Sequence, residues 1–117
     1  MLDATIQKQV HWWQEIIMVL DPILGSIKQS STRLTPAEVN IRLDKIHHAY
    51  SVVHRVTMPL DIQAQLIAAL SNLQTSYCAR SEGDKRQSSK HHRIAQVEWV
   101  LFEEMLQREG IICHILQ

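Results

Sequence analysis

The stretch IAQVEWVLFEEML, Ile94 to Leu106, decides how this chain is read. Placed on a helix at roughly 100° per residue, Ile94, Val97, Leu101 and Met105 form one apolar stripe. Ala95, Trp99, Phe102 and Leu106 form a second stripe beside it. Together the stripes cover about 200° of the helix surface, where an ordinary surface helix shows an arc somewhat above 100°. Gln96, Glu103 and Gln107 make the polar remainder, with Glu104 at its margin and Val100 among them. Glu98 falls inside the apolar arc, between the stripes. A helix patterned in this way is central in its own fold or shared with a partner.

Outward from this helix, Gly110 stands where a C′ glycine ends it, and Ser88 or Ser89 is the expected N-cap. Beyond Gly110 comes the apolar run Ile111 to Leu116, which is expected to fold back on the bundle, pair as a strand or bind another chain. Before the helix, Arg80 to Gln87 (RSEGDKRQ) reads as a flexible loop. A third helix is expected over Leu60 to Ala79, burying Ile62, Leu66, Ala69, Leu70, Leu73 and Tyr77. The second is announced by Thr35 as N-cap, Pro36 at the first helical position and Glu38 completing a capping box. It runs to about Thr57, with Leu34 and Val39 at staple positions and a seam of Val39, Leu43, Ile46, Tyr50 and Val53.

The first helix spans about Leu2 to Lys28. Ile6, Val10, Trp13, Ile17, Leu20, Leu24 and Ile27 alternate steps of four and three, a heptad seam. Trp12, Ile16, Val19 and Ile23 form a second stripe, so this helix is double-faced as well. Pro22 lies inside the pattern and predicts a kink near Leu20–Asp21, with Asp21 as an alternative new start. Gln29 to Arg33 is a polar loop. No internal repeat is present. The fold class is therefore all-α, a four-helix antiparallel bundle in one domain, 1–117, with a kinked first helix and an apolar tail.

Twelve basic residues balance twelve acidic ones, so net charge gives no push toward nucleic acid, anionic membrane or an acidic substrate. Two cysteines, Cys78 and Cys113, without a CxxC, suit a reduced cytoplasmic setting. The opening MLDATIQKQV lacks the apolar core of a signal peptide, and no apolar run is long enough to span a bilayer.

No catalytic or cofactor motif stands out, and the chain is expected to be no enzyme. Asp44, His47, His48 and His54 on the second helix, and His11 with Glu15 on the first, invite a metal reading. A di-metal bundle needs Glu-x-x-His pairs turned inward, and none occurs. These histidines read as solvated or seam-edge, like His91 and His92, and no metal or cofactor is expected. Cys78 has no nucleophile signature and reads as a semi-buried structural residue, as does Cys113. Glu98 must be paired if buried, with Arg42, His47, His54 or Arg55 of the second helix as candidates, or lie in a seam that water reaches. Arg80, Lys85, Arg86, Lys90 and Arg93, with His91 and His92, form a basic stretch that could touch phosphate, although Glu82 and Asp84 dilute it.

The tryptophans carry the sharpest expectation. A small bundle gives each helix one inward stripe, which leaves Trp12, Ile16, Val19 and Ile23, and Trp99, Phe102 and Leu106, as surplus. Aromatic residues carry much of the energy of protein contacts. These seven residues are thus the expected partner-binding face, covered by a second copy in a two-fold dimer. The function expected is that of a small regulatory or adaptor protein, of inhibitor or antiactivator type, binding a protein target through an apolar helical face. A nucleic-acid-associated protein using residues 80–93 and a His-rich metal-binding bundle are the alternatives.

Overall fold

The computed structural model describes residues 4–28 and 34–110, with side chains from Trp12 to Lys28 and from Leu34 to Gly110. Four helices account for almost all of it: α1 (Ala4–Lys28), α2 (Pro36–Arg55), α3 (Leu60–Ser81) and α4 (Lys85–Arg108). No strand occurs among the described residues. The Gln29–Arg33 loop, the Ile111–Leu116 run and Cys113 lie outside them.

Side-chain hydrogen bonds give the helix directions. Between α2 and α3, Arg42 Nη1 donates to Tyr77 Oη at 2.7 Å, and Gln63 Nε2 donates to the Val53 carbonyl at 2.8 Å. Between α3 and α4, Ser76 meets Ser88, Asn72 meets His91 and Gln65 meets Glu98. In both sets the partner's number rises as the other falls, so neighbours are antiparallel. α3 packs along α2 and most closely along α4, while α1 packs on α2 and more lightly on α4. The helices form an antiparallel bundle around one apolar core.

Caps explain the boundaries. Thr35 Oγ1 accepts from the Glu38 N–H at 3.2 Å, Pro36 begins α2, and Leu34 and Val39 both join the core. α1 is a single helix through Pro22, which excludes a new start at Asp21. The α3–α4 connection departs from the expected loop. α3 continues to Ser81 and α4 starts at Lys85, leaving only Glu82, Gly83 and Asp84 as the turn. Gly83, at φ +83°, takes the left-handed position of a Schellman turn: the Asp84 N–H reaches the Ala79 carbonyl and the Gly83 N–H that of Arg80. Asp84, not Ser88 or Ser89, is the N-cap, its carboxylate accepting from the Gln87 N–H at 3.1 Å. Gly110, at φ +74°, closes α4 as a C′ glycine.

Candidate functional site

The two stripes of α4 exchange the roles expected for them. Ala95, Trp99, Phe102 and Leu106 are buried, with Trp99 only 1% exposed. Val97 is 61% exposed, Val100 51% and Leu101 44%, with Ile94 and Met105 half-buried at the edge. Area decides this: burying a Trp–Phe–Leu stripe removes more apolar surface from water than burying Val–Leu–Met.

The expected partner-binding face is therefore corrected. Trp12, Ile16, Ile23, Trp99, Phe102 and Leu106 all lie in the chain's own core, and Val19 is half-buried against it. From Trp12 onward both α1 stripes turn inward, because a helix in a four-helix ring packs against two neighbours and one stripe does not cover both. Trp13 and Trp12 stand edge to face at 6.1 Å, Trp13 lies 6.2 Å from Phe102, and Trp99 lies 5.1 Å from Phe102. The indole N–H groups of Trp12 and Trp99 are buried there without an acceptor among the described residues.

The surface face that remains is the outward line of α4. Val97, Val100 and Leu101 make its apolar centre, Arg86, Lys90 and Arg93 lie on the N-terminal side, and Glu104 and Arg108 on the C-terminal side, all exposed. A smaller apolar spot, a groove of about 430 Å³, lies where Met18, Val19 and Pro22 of α1 meet Asp44, Lys45 and His48 of α2.

The titratable residues scatter. His47 bonds Gln74 at 2.7 Å, His54 packs on the Tyr50 ring at 4.7 Å between centroids, and His48 lines the α1–α2 groove. No metal-binding group of three or more His, Cys, Asp or Glu occurs among the described residues. Glu98 is half-buried, and its partner is neutral: Gln65 Nε2 of α3 donates to its carboxylate at 2.6 Å and to its carbonyl at 2.9 Å. None of the α2 residues proposed for it takes part. Arg42 instead bonds Tyr77 and sits over its ring, 5.7 Å from the centroid. Cys78 is exposed, not semi-buried.

His92, expected to be solvated or at a seam edge, is instead buried. With α4 starting at Lys85, His91 and His92 lie two turns inside the helix. His91 Nδ1 is 3.2 Å from the Asn72 side-chain oxygen. His92 is buried and its Nε2 lies 2.7 Å from the Ser26 carbonyl of α1. Its three-residue spacing to Ala95 and seven-residue spacing to Trp99 place it on the buried stripe, a signal open to inspection once the helix start is known.

No family model, no curated protein and no solved structure matches this chain. Among the described residues no helix is long and apolar enough to cross a membrane.

Proposed function

We propose that this is a small cytoplasmic regulatory or adaptor protein, of inhibitor or antiactivator type, that binds another protein along the outward face of α4. The exposed run Val97, Val100 and Leu101 supports this reading. Among the described residues the core forms without these side chains, so packing among them gives no reason for apolar residues there.

In the resting state a second copy covers the face. Lys90 and Glu104 stand one heptad before and after Val97, on the same line of the helix. A two-fold antiparallel pairing centred on Val97 sets Lys90 against Glu104 of the partner subunit, twice over. The patch is three side chains across, well short of the roughly 800 Å² per partner of a standard interface. The pairing is accordingly weak, and a target helix with apolar residues at helical spacing displaces it.

Sedimentation velocity over a rising concentration series tests the pairing, with circular dichroism to confirm the fold. The wild type passes from monomer to dimer, whereas Leu101→Asp stays monomeric with unchanged helix content. Glu104→Lys weakens the dimer, and adding Lys90→Glu restores it. A wild type that stays monomeric throughout, or a Leu101→Asp variant that dimerises equally well, overturns the proposal.

A further inference from the structure

Six large apolar side chains stand exposed among the described residues. Val97, Val100 and Leu101 belong to the α4 face, and Leu60 heads α3. Met18 of α1 and Ile41 of α2 are the other two, 76% and 54% exposed. Met18 joins Val19 and Pro22 in one wall of the groove of about 430 Å³, and Asp44, Lys45 and His48 form the other. Ile41 stands four residues before Lys45 and seven before His48, so it extends the α2 wall along the same line of the helix.

The walls carry more than apolar surface. Asp44 and Lys45 are adjacent, exposed and of opposite charge. Among the described residues no hydrogen bond or ion pair occupies either of them, nor His48. In the opposite wall Pro22 has no N–H, so the Met18 carbonyl lacks the donor that an ordinary helix supplies four residues on. The groove thus sets a carboxylate, an ammonium and a backbone acceptor beside apolar side chains. Met18 adds a polarisable thioether on a flexible stem, which suits the edge of an aromatic ring.

The geometry points to a binding site for a free apolar α-amino acid, aromatic by preference. Such a molecule carries both charges at one end and an apolar body at the other. Its ammonium matches Asp44 and the Met18 carbonyl, and its carboxylate matches Lys45, with His48 as a second donor. Its side chain lies against Met18, Val19 and Pro22. A plain apolar anion is disfavoured by Asp44 and a plain apolar cation by Lys45, so the pair selects a zwitterion. A volume of about 430 Å³ falls within the range of small-molecule sites, roughly 300–1,000 Å³. The site uses none of the α4 residues of the outward pairing, so it stands whether or not two copies pair.

The test is titration of the ¹⁵N-labelled full chain at constant ionic strength, followed by NMR. L-phenylalanine produces saturable shifts centred on Val19, Asp44, Lys45 and His48. N-acetylphenylalanine, which lacks the ammonium, and phenylalanine amide, which lacks the carboxylate, each bind at least about tenfold more weakly, as expected for losing a charge-assisted hydrogen bond. Asp44→Asn and Lys45→Gln, exposed changes that leave the fold intact, each weaken L-phenylalanine binding by a similar factor. Asp61→Asn, on α3, leaves it unchanged. Shifts that glycine reproduces, or binding that N-acetylation or Lys45→Gln leaves unaltered, overturn the proposal. So does L-phenylalanine without saturable shifts, and an apolar peptide helix that saturates the groove in its place transfers this surface to a protein partner.

Discussion

Trp12, Trp13, Trp99 and Phe102 fill one half of the bundle, while Ser26, Ser76, Ser88 and His92 are buried in the other. The aromatic half is large in area and careless of polar matching. Each such ring buries roughly 150–250 Å², worth several kcal/mol. Two indole donors without an acceptor among the described residues, at about 1–3 kcal/mol each, are tolerable against that gain. The other half sets four polar side chains among large apolar ones such as Ile27, Leu73 and Tyr77, and joins the helices by short hydrogen bonds. Area alone would have filled both halves with Leu or Phe. The polar half therefore trades area for specific inter-helix hydrogen bonds.

The comparison breaks first at Phe102. It is fully buried and touches both Trp13 and Trp99. Phe102→Ala is expected to cost about 3–5 kcal/mol, read from the shift of the urea midpoint. A loss under about 1 kcal/mol would mean that the aromatic half is not what holds the bundle together.

Pro22 comes next, in α1 four residues before Ser26. It lies inside the helix, is exposed, and has no N–H to give the Met18 carbonyl. Pro22→Ala is expected to raise stability by up to about 3 kcal/mol, the usual penalty of an interior proline. A drop in stability would couple the halves: a bend at Pro22 would then be what carries the Ser26 carbonyl to His92. Ser76→Ala is milder. It deletes a buried donor to the Ser88 carbonyl, for a loss of about 1 kcal/mol by the same urea assay. A cost as large as that of Phe102→Ala would erase the distinction between the two halves.

Much of this was open to reading in the chain. Thr35, Pro36 and Glu38 placed the start of α2 to the residue, and Gly110 the end of α4, because caps act through local geometry that neighbours cannot override. The α3 face Ile62, Leu66, Ala69, Leu70, Leu73 and Tyr77 is buried as its spacing requires. The α3–α4 turn is hidden because charge makes RSEGDKRQ look like loop, although Asp84 and Gln87 stand in N-cap and N3 positions. The orientation of α4 was beyond periodicity. Both stripes are apolar at helical spacing, and only their competing areas, summed against α1 and α3, choose one. Glu98 found Gln65 for a similar reason: register between helices decides its neighbour, and charge pairing on one helix says nothing of register.

The smallest effect on stability carries the most weight for function. Leu101 and Phe102 are adjacent in sequence and opposite in fate, 44% and 0% exposed. An aspartate at 102 would put a charge in the aromatic core and unfold the chain. Leu101→Asp puts the same charge into water, so the urea midpoint of the dilute monomer should move by no more than about 0.5 kcal/mol. The dimer, not the fold, should disappear. If instead Leu101→Asp unfolds the monomer, the outward stripe is already occupied within the chain. The Ile111–Leu116 run, which follows Gly110 in the sequence, is then the first segment to delete in search of what occupies it.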